Sequence, residues 1–378
     1  MFAAQADSRM RVRQDFLQSF LRIFASTIHS HRVGTSPAPQ SDGLQVAETS
    51  KIALMATKLS EEMFSEFFWI KVGPEDANWP CEDVEHHHVE THPADVVFYY
   101  DEPYSLKRTF IHCDLKSYAK KTITQTAVHG AIESLAKQVA CAEKSEAWRQ
   151  MYMHGNVTPD VCGMLFVYNH DGEFDRDFSA SLLATVKDER LPLPRNSRLY
   201  VLGPRDIFWL DNVRYDIRQL RGSAGPATLP AAQHCKYFYP QLDGRANLQP
   251  DKARAATLEM LTSPWIVLEY KHGPGHAQRG FIVYYRRSGE TEEEFMYLLD
   301  YLRHYQVLDE GTKVEVRLLE GDIAASAHFQ KAQQRYIESF GDSARSTELA
   351  AKVSAIKYSK MTQVITEFSS IELGMEYA

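Results

Sequence analysis

Two kinds of apolar spacing alternate along this chain. The runs "ADVVFYY" (94–100), "RTFIHCD" (108–114), "CGMLFVYN" (162–169) and "RLYVLG" (198–203) are short and rich in β-branched and aromatic residues, which predicts strands; "FFWIKV" (67–72) predicts the start of another. Between them, apolar residues recur every three or four positions. Ile52, Met55, Leu59, Met63 and Phe67 predict a helix over 45–68, and Ile132, Leu135, Val139 and Ala142 predict one over about 122–147. The stretch 205–220, "RDIFWLDNVRYDIRQL", reads as an amphipathic helix, and further helices are expected over 8–30 and 178–187. "RVGTSPAPQSDG" (32–43) has loop composition, and "GPEDANWPCED" and "DEPYSLK" have turn composition. Strands alternating with helices in this order imply an α/β layer structure with a mixed sheet.

The stretch "RGSAGPATLPAAQ" (221–233) has the composition of an interdomain linker. Beyond it, 264–271 and 279–287 read as an antiparallel pair of strands. A helix is expected over 291–308 with Thr291 as N-cap and glutamates in its first turn. "KVEVRLL" (313–319) predicts a third strand, and two helices are expected to finish the chain. The division is therefore an N-terminal helix and linker over 1–45, an α/β domain over 46–225, and a second small α/β domain over 226–378.

Composition narrows the class. The 378 residues suffice for two domains with their own cores, and 44% hydrophobic with 24% charged residues is the balance of a soluble globular protein. No apolar run reaches the roughly 18 residues that cross a bilayer. "FLQSFLRIFASTI" is broken by Arg22 and preceded by Arg13 and Asp15, so it reads as an amphipathic helix packed on the body rather than a signal peptide. Cys81, Cys113, Cys141, Cys162 and Cys235 are odd in number and lack C-x-x-C spacing. They read as reduced, buried thiols of a cytoplasmic protein, and a zinc site made of cysteines alone is not expected. The net charge of −8 argues against broad non-specific nucleic-acid binding, but leaves room for an acidic metal site beside a confined basic groove.

The stretch from His92 to Thr122 places chargeable residues where two strands meet. Their short connection makes the strands neighbours by default. Asp95 opens one, and Asp114 and Lys116, two apart, share a face at the end of the other. Two carboxylates can hold a hard divalent cation such as Mg²⁺, or Mn²⁺ in its place. A lysine beside them can orient a nucleophilic water and offset charge at a phosphate. The plain alternative is a solvated strand end with a Lys–Asp ion pair. A second acid-x-lysine triplet, Glu269-Tyr270-Lys271, lacks an acid on a preceding paired strand.

At these residues the chain resembles the PD-(D/E)xK nuclease superfamily. Pro93-Ala94-Asp95 is similar to the first half of the motif with one residue inserted, and Asp114-Leu115-Lys116 to the second half. The resemblance covers roughly 46–220 and does not extend past the linker. It implies a restriction-endonuclease-like mixed sheet flanked by helices, followed by the second α/β domain. It also implies a glutamate from the helix before the sheet. "LSEEMF" offers Glu61 and Glu62, and Glu62 continues the inward stripe of Met55 and Leu59. The implied catalytic set is Glu62, Asp95, Asp114 and Lys116, with Asp95, Asp114 and Glu62 on Mg²⁺, and Lys120 and Gln125 as auxiliary contacts to substrate. The implied activity is phosphodiester hydrolysis, on DNA, in bacterial anti-phage defence, controlled by a regulatory protein partner or a homo-oligomer, without a membrane. An RNA nuclease, or an inactive scaffold or sensor keeping the fold, is the alternative.

Other motifs compete poorly. "EHHHVETH" gathers His86, His87, His88 and His92, but an extended chain sends consecutive side chains to opposite faces, a poor tetrahedral cage. Such a loop could instead follow a phosphate backbone, with His92 near the active site. "HGPGHAQRG" lacks the Gly-Lys-Ser/Thr ending of a phosphate loop, "NHDGEFDRD" has the wrong acid spacing for calcium, and no G-x-S-x-G is present.

Overall fold

A computed structural model describes residues 57–58, 60–155, 157–178, 198–222, 229–241, 252–309, 311–340 and 344–364. The expected helix over 8–30, all but the first residue of that over 178–187, the loop over 32–43, the first part of the helix over 45–68 and the middle of the linker (223–228) lie outside these residues.

Helix α1 (helical over 60–66) leads into β1 (Ile70–Val72). A hairpin of β2 (Ala77–Pro80) and β3 (Thr91–Ala94) encloses a single turn, α2 (Val84–His87). β4 (Val96–Asp101) and β5 (Lys107–Tyr118) follow, then α3 (Gln125–Ala142), α4 (Glu146–Tyr152), β6 (Thr158–Asn169), β7 (Arg198–Leu202) and α5 (Pro204–Gly222). The sheet order is β1-β4-β5-β6-β7. β1, β4 and β5 pair antiparallel, and β5, β6 and β7 parallel.

The helix expected over 122–147 is two helices. Ser145 caps the second, accepting from the Trp148 amide at 3.4 Å, and the chain turns there. β5 runs past Asp114, where its apolar pattern ends, because parallel pairing with β6 continues to Tyr118 opposite Asn169.

Each face of the sheet has its own core. Val96, Phe98, Tyr100, Ile111 and Cys113 face α1 and α5 through Met63, Phe64, Ile207, Leu210 and Val213. Val97, Phe110, Leu165 and Val167 face α3 through Val128, Ile132, Leu135 and Val139. Strand alternation thus sorts one sequence into two layers.

Past the linker lies a second sheet in the order β8 (Cys235–Tyr237), β9 (Trp265–His272), β10 (Gln278–Tyr285), β11 (Lys313–Leu318) and β12 (Lys357–Lys360). A one-turn helix, α6 (Leu258–Leu261), precedes β9, α7 (Glu292–His304) joins β10 to β11, and α8 (Ala325–Glu338) and α9 (Ala344–Ser354) join β11 to β12. β8, β9 and β10 pair antiparallel, and β10, β11 and β12 parallel. The arrangement of the first sheet recurs here, which the sequence comparison confined to 46–220 did not anticipate. β12 also escaped prediction, since "KYSK" carries no apolar run.

The two sheets are not separated by solvent. The apolar core around α1 and α5 continues through Tyr237, Ile266, Leu268 and Tyr284 of the second. The Trp69 indole donates to the Ala256 carbonyl at 2.7 Å, the Tyr237 hydroxyl to the Glu66 carbonyl at 3.1 Å, and Arg317 pairs with Asp216 at 2.8 Å.

Candidate active site

Asp95 occupies the bend between β3 and β4. Pairing of Val96 with Cys113 sets Asp95 opposite Asp114 across the β4–β5 ladder. Both side chains belong to the α3 face, since their alternation partners Val97 and Phe110 pack in that core. Lys116 follows Asp114 by two residues on the same face, its ammonium 2.5 Å from Asp114 Oδ1. Asp95 is fixed by the Leu115 amide, which donates to its Oδ2 at 2.6 Å. That donor belongs to the backbone inside the D-x-K triplet, so no residue type could have announced it.

The electrostatics are those of two acids in a confined place. Burial raises the Asp95 pKa and the Asp114 carboxylate raises it further, while the Leu115 amide and Lys116 counter it. Burial also raises the Asp114 pKa, opposed by the Lys116 charge and by hydrogen bonds from Lys116 and Asp95. Burial lowers the Lys116 pKa, but the two carboxylates outweigh it and the net shift is upward. The pair therefore favours a shared proton or another positive charge over two bare carboxylates.

The structure separates Glu62 from this pair. Its helix packs on the opposite face of the sheet, and its Oε2 meets Arg214 Nη1 at 2.6 Å and Arg218 at 3.7 Å. Glu61 pairs with Lys71 at 2.6 Å. Among the described residues, neither glutamate joins Asp95 and Asp114 in a group close enough to share one ion. Lys120 pairs with Asp175 at 3.0 Å, and its amide donates to Asp171 at 2.8 Å. Gln125 is exposed at the first position of α3, beside the N-cap Thr124.

The other triplet has a different setting. Glu269 is buried mid-strand between Arg279 at 2.9 Å and Lys236 at 3.5 Å, and Lys271 is exposed. Its carboxylate is already matched by two cations.

Residues 46–206 match the family described as the GAPS4 protein PD-(D/E)XK nuclease domain. The match supports the resemblance of this stretch to the PD-(D/E)xK nuclease superfamily. No curated protein and no solved structure matches the chain. The match ends at Asp206, just inside α5, and covers the whole first sheet. Nucleases of this superfamily depend on a divalent cation and act on nucleic acid. The site fits such an ion on its own terms: Asp95 and Asp114 are neighbouring buried carboxylates, hard oxygen donors whose close approach raises the pKa of Asp95, and Lys116 is the cation paired with Asp114. Among the described residues, no helix is long and apolar enough to cross a membrane.

Proposed function

We propose that the chain is a Mg²⁺-dependent endonuclease that hydrolyses phosphodiester bonds in DNA, with Asp95, Asp114 and Lys116 as its catalytic group. The observation that carries the reading is the pairing of Asp95 with Asp114 across β4 and β5, with the Lys116 ammonium at 2.5 Å from the second acid. Asp95 and Asp114 would hold the ion; bound there, it supplies Lewis acidity to the phosphate and acidifies a water. The chain's own part is positional. The Leu115 amide holds Asp95 in its orientation, and Lys116 places a fixed positive charge where a pentavalent phosphate gathers negative charge. Mn²⁺ should substitute, since both ions accept carboxylate oxygens. Glu62 stays in the proposal as an acid that must leave Arg214 to take part, and Lys120 as a phosphate contact that must leave Asp175.

The biological setting we propose is bacterial anti-phage defence in the cytoplasm. GAPS4 is a component of an anti-phage system, and the matched domain is the one that carries its nuclease motif. A net charge of −8 gives weak attraction to a polyanion, so a protein partner or a second copy of the chain is proposed to supply basic surface and to control activity.

The test uses the full chain with plasmid, linear DNA and RNA panels, in Mg²⁺, Mn²⁺ or EDTA, beside Asp114→Asn. DNA nicking that needs the ion and disappears in the variant is the expected result. Cleavage of RNA alone would replace the substrate assignment. Cleavage by Asp114→Asn at the parental rate would remove the site.

A further inference from the structure

The histidine segment is not extended. Val84–His87 forms one helical turn capped by Asp83, and His88 takes a left-handed conformation with φ 59°. His86 stays outside, with Nδ1 2.7 Å from Asp83. His87 turns inward, and His92, two residues into β3, is buried beside it with ring centroids 5.5 Å apart. The expectation that these histidines lie on opposite faces fails because the chain coils between them.

Two cysteines complete the cluster. Cys81 directly follows β2, its amide donating to the Glu90 carbonyl at 2.9 Å. Cys141 is the penultimate residue of α3. Their sulfurs are 3.7 Å apart, and His87 Nδ1 lies 3.4 Å from Cys81 Sγ and 3.3 Å from Cys141 Sγ. One ligand atom from each of Cys81, His87, His92 and Cys141 falls within 4.8 Å of all the others.

We infer that Cys81, His87, His92 and Cys141 form a structural zinc site. Zn–S bonds of about 2.3 Å and Zn–N bonds of about 2.0–2.1 Å, set tetrahedrally, imply S···S edges of about 3.8 Å and S···N edges of about 3.6 Å. The separations of 3.7, 3.4 and 3.3 Å are close to those edges. Two further observations point to a ligand. His92 is 3% exposed and its Nε2 has no hydrogen-bond partner, a costly state for a buried ring nitrogen. Backbone amides also converge on the sulfurs: that of Asp83 donates to Cys81 Sγ at 3.4 Å, and those of Glu82 and Asp83 face Cys141. These amides offset part of the burial that pushes the Cys141 thiol up to about 11, and a bound cation would supply the rest of what the thiolate needs. Two thiolates with two imidazoles in a closed tetrahedron select zinc over harder ions such as Mg²⁺. Binding releases the two thiol protons to solvent.

The site would join segments distant in sequence. It ties the β2–β3 hairpin and α2 to the C-terminal end of α3, 49 residues beyond His92. β3 runs from His92 through Ala94 directly into Asp95, so the zinc would anchor the approach to the acid pair without touching it.

The experiment measures metal content by plasma mass spectrometry on full-length protein purified without chelator. One equivalent of zinc per chain is expected in the parent. It should persist in Asp114→Asn, which excludes the acid pair as its holder, and in Cys235→Ser, whose thiol is buried elsewhere. Cys81→Ser and Cys141→Ser should lose most of it. Because those variants can fail to fold, the parent is also stripped and loaded with Co²⁺, and thiolate-to-cobalt charge-transfer absorption is expected. A parent that contains no zinc and gives no such absorption would overturn the inference. Parental zinc in both cysteine variants would do the same, as would a Cys81–Cys141 disulfide trapped in freshly lysed cells.

Discussion

The two five-stranded sheets share a strand order and a pattern of directions, yet only one carries paired acids. In the first, Val96 pairs with Cys113, and the next step outward brings Asp95 opposite Asp114. In the second, Trp265 pairs with Tyr285, and the next step brings Pro264 opposite Arg286, whose amide donates to the Pro264 carbonyl at 2.9 Å. Ser288 then stands where the first sheet has Lys116. The Arg286 guanidinium turns back to the first region. It pairs with Asp206 at 2.8 Å, donates to the Leu261 carbonyl at 2.6 Å and lies over the Trp209 ring at 4.3 Å. The same backbone frame thus supports a candidate reaction centre in one half and an anchoring contact in the other. What decides is the identity of three side chains at one strand junction, and not the fold.

The largest expected effect tests this contrast directly. Asp114→Asn or Lys116→Ala should lower nucleic-acid cleavage by on the order of 10²–10³-fold or more, the scale of removing one group that stabilises transition-state charge. Lys271→Ala should leave the rate within about 2-fold, since its side chain is exposed at the end of a strand whose acid is already paired. Rates on a nicked-plasmid assay under saturating Mg²⁺ distinguish the two. A large loss in Lys271→Ala would move the chemistry to the second sheet.

A second effect reads on stability rather than rate. Arg286→Ala should cost about 2 kcal/mol, less than a fully buried pair would, because Asp206 is a third exposed. Urea denaturation of Arg286→Ala, Asp206→Ala and the double variant measures it. The double variant should be less destabilised than the sum of the single ones, because the two side chains share one contact. Additive losses would show that the arginine does not act through Asp206.

The acid pair should also make metal-free stability depend on pH. Burial raises both carboxylate pKa values in the folded chain, and the Asp114 charge raises that of Asp95 further. Between the unfolded value of about 3.9 and these raised values, the folded state binds more protons than the unfolded one. Stability of the metal-free protein should therefore fall as pH rises through that window and stay reduced above it. Asp95→Asn keeps an oxygen for the Leu115 amide and removes the repulsion. It should melt a few degrees higher than the parent at neutral pH without metal, and should lose the stabilisation that Mg²⁺ gives the parent. Thermal melts from acid to neutral pH, with and without Mg²⁺, show whether the slope disappears in the variant.

How much of this was legible depended on distance along the chain. Strands β4, β5, β6 and β7 announce themselves by apolar runs, and the Asp95–Asp114–Lys116 group by local spacing plus one hairpin. The ends of elements were less clear: the polar tail of β5 is held by its partner β6, and the break between α3 and α4 by the Ser145 cap. The Cys/His cluster was hidden for two reasons. Its histidines are brought together by a single helical turn ended by a left-handed His88, and its fourth member arrives from the far end of α3. The repeat of the sheet was hidden because it preserves strand directions and not residues.

The smallest expected effect concerns Glu62, where the sequence stripe and the fold part company. Glu62 lies on the helical face that the stripe selects, but that face meets α5, and the carboxylate ends on Arg214. Arg214 is 7% exposed and also holds Asp211 at 2.6 Å. Pulling Glu62 away to the metal would leave the guanidinium with Asp211 alone, while the sheet still stands between the helix and the acid pair. Glu62→Gln, which preserves size and an acceptor oxygen, should therefore reduce cleavage by less than about 10-fold, well short of the loss in Asp114→Asn. Its effect should appear as a modest loss of stability, about 1 kcal/mol, because a partly exposed carboxylate leaves a nearly buried arginine that keeps one partner. Rate and urea midpoint measured on the same preparations separate the outcomes. A loss of activity equal to that of Asp114→Asn, with an unchanged midpoint, would place Glu62 at the metal during turnover and require the Arg214 pair to open.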